Sequence, residues 1–299
     1  MTDISHGTDG PADSVDALLA VIDLSSGDAR TTEDIFTGSS QPMPSGRVYG
    51  GQVLAQSIVA ATRTTPADRA AHSMHGYFLR PGDATKGITF SVDRIHDGRS
   101  FSTRRTQAYQ EGVPIFSMIA SFQAEDPGFE HQTEAPADIP SPESLPSLEE
   151  RMGVEHPMSR RPFAALPIDL RHVPSPVYDT VEGPHVPRQA VWARVRRPLP
   201  DDPALHRALL AYLSDMTIQE PILRGHGTPW ATPGLKVASL DHAMWWHRPA
   251  RADDWLLYVQ ESPSARGGRG LSTGRIYARD GALAASVAQE VMVRVPRGD

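Results

Sequence analysis

The chain has 299 residues, of which 39% are hydrophobic and 22% charged, with a net charge of −7 and no cysteine. That length lies at the upper edge of what one hydrophobic core serves, so two domains, or one fold used twice, is the first expectation. The negative balance argues against a general nucleic-acid binder, and the missing cysteines close off disulfides, thiolate metal sites and a cysteine nucleophile.

No basic leader opens the chain, and its longest early apolar run, residues 17–22, is far shorter than the ~18 residues a membrane span needs. A cytoplasmic protein without a membrane span is expected. Residues 295–299 carry none of the terminal peptides read as peroxisomal or endoplasmic addresses.

In chain order, residues 50–64 (GGQVLAQSIVAATRT) read as a helix apolar nearly all round, which must be buried on most sides. Strands follow at 71–81, 87–96, 100–110 and 113–122, with turns at Asp97-Gly98 and Glu111-Gly112. Twelve of the 27 prolines fall between Asp126 and Arg188, and periodicity disappears over 130–150, which marks a linker. Alternation resumes in a short strand at 168–173. Beyond it come a helix at 203–216 and strands at 237–249, 255–262, 270–279 and 283–293, with a turn at Asp280-Gly281.

The two flanking stretches repeat one order of elements: helix, strand, strand, hairpin. Arg80-Pro81 and Arg248-Pro249 close corresponding strands, and the onward distances agree, 32 residues to Gly112 and 33 to Gly281. Small residues at Gly51, Ala55 and Ala60 let the first helix lie close to a curved antiparallel sheet. The expected fold is therefore α+β: a tandem, double hotdog with two antiparallel curved sheets, each wrapped around a central helix. The expected division is an N-terminal hotdog domain over 1–125, a Pro-rich linker over 126–159 and a C-terminal hotdog domain over 160–299.

Several local patterns carry little chemistry. The G-x-S-x-G string at 270–274 would need a strand before it and a helix after it, and a strand with a tight turn follows instead. His72 and His75 have odd spacing on a strand, so they face opposite sides and make a poor metal pair, as do His242 and His247. Gly267, Gly268 and Gly270 lack the spacing and the βαβ context of a dinucleotide fingerprint. Neither a metal nor a nucleotide cofactor is implied. Arg104, Arg105 and Arg266 are candidates for meeting substrate phosphates through bidentate guanidinium bonds, and His72 is a candidate for lining a substrate channel.

The stretches RVYGGQVLAQ (47–56), HSMHGYFLRPGD (72–83), DGRSFSTRR (97–105) and DHAMWWHRP (241–249) resemble the type II acyl-CoA thioesterases, TesB-like double-hotdog enzymes, over roughly residues 17–294. The long linker and the Pro- and Gly-rich stretch 220–234, which reads as a loop of its own, depart from the family's pattern. The resemblance implies hydrolysis of medium to long fatty acyl-CoA thioesters to free acid and coenzyme A, without a cofactor, in a homo-oligomer. It also implies a catalytic trio of Asp215, Ser239 and Gln289, with serine where the family has threonine or serine. An aspartate beside a helix end is by itself an ordinary capping residue, so the three positions count only together. A hotdog-fold hydratase or dehydratase and an inactive acyl-CoA-binding protein are the alternatives, because fold does not fix chemistry.

Overall fold

The computed structural model describes residues 11–26, 33–43, 45–153 and 167–295. The expected domain start at residue 160 and the tail 296–299 lie outside the described residues. In the first half, α1 (Pro11–Ile22), β1 (Ser25–Ser26) and β2 (Asp34–Gly38) precede α2 (Gly50–Arg63), and β3 (Arg69–Phe78), β4 (Ile88–Asp97), β5 (Phe101–Gln110) and β6 (Val113–Ala124) follow it. The linker contains α3 (Leu148–Met152). The second half runs β7 (Ile168–Val173), β8 (Arg188–Val195), α4 (Pro203–Ser214), α5 (Glu220–Gly225), β9 (Lys236–Ser239), β10 (Asp241–Trp246), β11 (Leu256–Arg266), β12 (Arg269–Tyr277) and β13 (Leu283–Arg294).

The expectation of two separate sheets is corrected by the seam between the halves. Strands β3 and β10 pair antiparallel, Met244 opposite Met74, and join everything into one 13-stranded sheet in the order β1-β2-β4-β5-β6-β3-β10-β13-β12-β11-β8-β7, with β9 beside β13. Each half would otherwise leave β3 or β10 with unpaired backbone at an edge, and pairing them satisfies both ladders. The order of strands mirrors across this seam. Position 75 corresponds to 243 by the offset of the two Arg-Pro pairs, and these two residues face each other across it.

Within the fold, α2 packs against β3, β4, β5 and β6 on one side and α4 on another, which explains its lack of a polar face. Its two buried glutamines are satisfied locally: Gln56 Nε2 donates to Val21 O (2.7 Å) and Ser39 O (2.9 Å), and Gln52 Oε1 accepts from the Gln41 amide (2.8 Å). Buried apolar residues of both halves form one continuous core. Among the described residues, no helix is long and apolar enough to cross a membrane.

Two local expectations change. Residues 220–234 are not all loop: α5 forms because Pro221 falls in its first turn, where no backbone donor is lost. The single strand expected at 237–249 divides at Leu240 into β9 and β10, although Leu240 keeps its ladder bond to Glu290 O (2.9 Å). The linker itself is strapped to the second half. Trp192 Nε1 donates to Pro140 O (2.9 Å), Gln132 Nε2 donates to Gly281 O (2.9 Å), and Ile139 and Leu145 pack over Trp192 and Leu257.

Candidate active site

Asp215 is the C-cap of α4, where the helix hands over to a tight turn, and it is only 4% exposed. Its Oδ1 accepts from Ser239 Oγ (3.1 Å) and Gln289 Nε2 (3.0 Å), and its Oδ2 accepts from the backbone N–H of Gly51 (2.9 Å). The three side chains named from the sequence therefore meet: Ser239 ends β9, and Gln289 lies on the neighbouring β13. Gln289 Nε2 also donates to Ser239 Oγ (2.9 Å), as does Gln219 Nε2 (2.9 Å), so the serine oxygen is fully engaged and unsuited to act as a nucleophile.

The fourth contact comes from the other half. Tyr49, the N-cap of α2, makes no side-chain capping bond. The Asp215 carboxylate fills that role from α4, at the positive end of the α2 dipole. Gly50 and Gly51 make the approach possible. A Cβ on Gly50 would stand 2.6 Å from Asp215 Oδ2, and one on Gly51 would collide with the carbonyl oxygen of Tyr212. Phe78, Tyr49, Tyr212 and Tyr258 surround the carboxylate; Tyr49 Oη donates to Tyr212 O (2.8 Å) and Tyr258 Oη to Ser214 O (2.9 Å).

Burial pushes the Asp215 carboxyl up from 3.8 to about 6, against the pull of the Gln289, Ser239 and Gly51 donors. At neutral pH it is mostly ionised, yet basic enough to take a proton. Oδ2 accepts from the Gly51 N–H alone among the described donors, which leaves it one further acceptor position.

The other residues named from the sequence lie elsewhere. Arg104 is wholly buried and committed: Nε and Nη2 donate to Thr64 Oγ1 and O (2.9 Å each), Nη1 to His96 O (3.1 Å), and Nη2 pairs with Asp97 (2.8 Å). It is thereby turned away from any substrate. Arg105 is half-exposed and paired with Asp93 across the strand ladder (3.0 Å). His72 sits near the start of β3, bonded to Ser121 Oγ (2.9 Å) and edge-on to Phe101, whereas the end of β3 at Phe78 approaches the site. Arg266 is exposed at the β11–β12 hairpin and has no ion-pair partner among the described residues. The G-x-S-x-G string lies within β12, with Ser272 buried.

Mirror positions explain why the site occurs once. The offsets that relate the halves carry Ser239, His242 and Gln289 onto Ala71, Met74 and Ala120, and by its place as helix C-cap, rather than by those offsets, Asp215 on α4 answers to Thr64 on α2. Arg104, the counterpart of Ser272, fills that place in the first half. Sequence reasoning missed Gly51, Gln219, Ser214 and His242. The Gly-Gly pair and the Asp241-His242 pair both lay inside the quoted motifs and were the available signals.

A buried carboxylate held by a serine, a glutamine and a helix N-terminus, on a large antiparallel sheet packed around central helices, is an arrangement compatible with the hotdog-fold thioesterase class. Residues 165–292 match the family described as "Acyl-CoA thioesterase", and residues 39–123 match "Acyl-CoA thioesterase N-terminal domain". The chain belongs to this family and is a thioester hydrolase. It is 38% identical over 281 residues to human "Acyl-coenzyme A thioesterase 8" (88% of this chain, 85% of the relative). With "Acyl-CoA thioesterase 2" of Haemophilus influenzae it shares 35% over 268 residues (87% and 92%). The crystal structure of acyl-CoA thioesterase II TesB2 from Mycobacterium marinum superimposes with a TM-score of 0.75 at 42% identity, covering 95% of this chain and 99% of that one.

Proposed function

We propose that the chain hydrolyses medium to long fatty acyl-CoA thioesters to free acid and coenzyme A, with Asp215 as general base and Ser239 and Gln289 as its orienting partners. The observation that carries this reading is the buried carboxylate with three donors and one acceptor position on Oδ2 that no described donor takes, its pKa pushed up to about 6 by burial. Water held at Oδ2 gives its proton to Asp215 as its oxygen attacks the thioester carbonyl. The C–S bond then breaks, and the proton leaves with the thiolate as free coenzyme A. Negative charge on the carbonyl oxygen develops beside the N-terminus of α2, whose dipole favours it.

Of the arginines considered, Arg266 is the one we assign to substrate phosphate. It lies with Lys236 and Arg294 where β9, β13 and the β11–β12 hairpin end together, and Lys236 pairs with Arg294 in the ladder. At ~3.3 Å per residue, Lys236 is roughly 10 Å along the strand from Ser239, within reach of an extended pantetheine arm. Self-association belongs to the same reading: Ile119, Tyr77 and Trp245 are exposed on adjacent strands about the pseudo-twofold seam, a face suited to a second copy. A hydratase would need a histidine free to shuttle protons at this carboxylate. The histidine nearest the trio, His242, has both ring nitrogens bonded inside the protein.

The deciding experiment measures thiol release from short, medium and long acyl-CoAs by wild type and Asp215→Asn in parallel. Hydrolysis concentrated on medium and long chains and lost in the variant supports the proposal. A variant as fast as wild type removes Asp215 from the mechanism.

A further inference from the structure

Gln289 serves the site in only one orientation. Its two amide hydrogens go to Asp215 Oδ1 (3.0 Å) and Ser239 Oγ (2.9 Å). Turned over, the amide would aim its oxygen at a carboxylate and at a hydroxyl whose proton is already given to that carboxylate. The terminal torsion of glutamine is broad and roughly two-fold, so the amide has no intrinsic preference between the two states.

The selection comes from behind. Gln289 Oε1 is hydrogen-bonded to Nδ1 of His242, and no other donor reaches that oxygen among the described residues. A carbonyl oxygen only accepts, so Nδ1 carries the hydrogen. In the neutral ring Nε2 is then the acceptor, and Ser214 Oγ stands 2.9 Å from it as donor. The opposite choice, Ser214 donating to Ala211 O (2.9 Å) and accepting from Nε2, would leave two acceptors facing each other at Gln289. His242, Ser214 and Gln289 are each at most 1% exposed, so water cannot substitute for any of these bonds. Burial holds the His242 ring down to about 4, so it is neutral across the working range.

We infer that His242, with Ser214 behind it, is a positioning residue that fixes the Gln289 amide so that both of its N–H groups face Asp215 and Ser239. The inference rests on the proposed trio. It adds a directed chain of bonds, Ser214 to His242 to Gln289 to Asp215, that begins one residue before the base it serves.

The test compares kcat, KM and the pH profile of His242→Leu, His242→Asn, Ser214→Ala and Asp215→Asn in the full chain. The titratable groups around Asp215 are Tyr49, Tyr212, Tyr258 and His242, and only Asp215 changes charge near pH 6. His242→Leu should lower kcat by about 10- to 100-fold, the usual cost of losing an orienting partner, with KM nearly unchanged. Its acidic limb should move to higher pH, because the carboxylate loses an N–H donor. Asparagine places a donor near the Nδ1 position and should restore most of kcat and the limb. If the leucine variant does not fold, Ser214→Ala carries the test, with a smaller fall in kcat and the limb moving the same way. An unchanged kcat and limb in the folded variant, or a fall in kcat without limb movement or asparagine rescue, overturns the inference. Asp215→Asn separates the two levels: if it is inactive while the other variants are normal, only the inference fails, and if it is fully active, both fail.

Discussion

Replacing Asp215 by asparagine tests the carboxylate through stability as well as turnover. Folding raises its pKa from 3.8 to about 6, about two units at about 1.4 kcal/mol each, or about 3 kcal/mol. The native state holds this proton more tightly than the unfolded chain does. The stabilisation is therefore fully present below 3.8 and is lost as pH rises through about 6. Asparagine does not titrate. It can keep its oxygen toward Ser239 and Gln289, which sets its amide against the Gly51 N–H at a cost of about 1–3 kcal/mol at every pH. The absolute difference between the two proteins thus mixes two effects, while its pH dependence isolates one. Urea unfolding of both proteins between about pH 3 and pH 8 should show wild type losing about 3 kcal/mol relative to the variant. Thiol release by the variant should fall by about 10²- to 10⁴-fold. A stability difference that stays level across that range would refute the burial account of Asp215.

Gly51→Ala should lower the melting temperature by the equivalent of about 1–3 kcal/mol and reduce kcat, because the added methyl collides with Tyr212 O and moves the N–H that holds Asp215. Arg104→Met should cost about 2–4 kcal/mol in thermal unfolding, since Thr64 and His96 lose their buried donor, while kcat/KM at a permissive temperature stays within about twofold. A large loss of turnover there, with stability kept, would return Arg104 to substrate contact. Arg266→Gln should raise KM for acyl-CoA and flatten its dependence on ionic strength, read from initial rates at low and moderate salt.

Much of this architecture could be read in advance from periodicity and turn chemistry. The helix expected at 50–64 runs Gly50–Arg63, and the turn at Glu111-Gly112 uses two residues with positive φ, 50° and 78°. The trio was legible only through long motifs, because nothing local distinguishes a site aspartate from a capping one. Arg104 misled for a physical reason. Along β5 the inward positions are Ser102, Arg104 and Thr106 while Phe101 points outward, the reverse of the usual alternation, so a guanidinium that belongs to the interior reads as a surface charge. That the sheets of the two halves could lie side by side was legible from the fusion, but the strands that meet, β3 and β10, and their register were not, because edge pairing is a backbone property and leaves no side-chain signature.

The place held by Thr64 and Arg104 has a consequence for how this chain tolerates change. Two identical hotdogs arranged about a dyad would answer for catalysis equally at both mirror-related positions. Here one of the two has become ballast, a buried guanidinium tied to Thr64 and to the half-exposed Asp97 that fills the corresponding space. If Asp215 has the proposed role, saturation mutagenesis should be lopsided: around Arg104 survivors would be chosen by folding alone, and around Asp215 by the rate of a single chemical step.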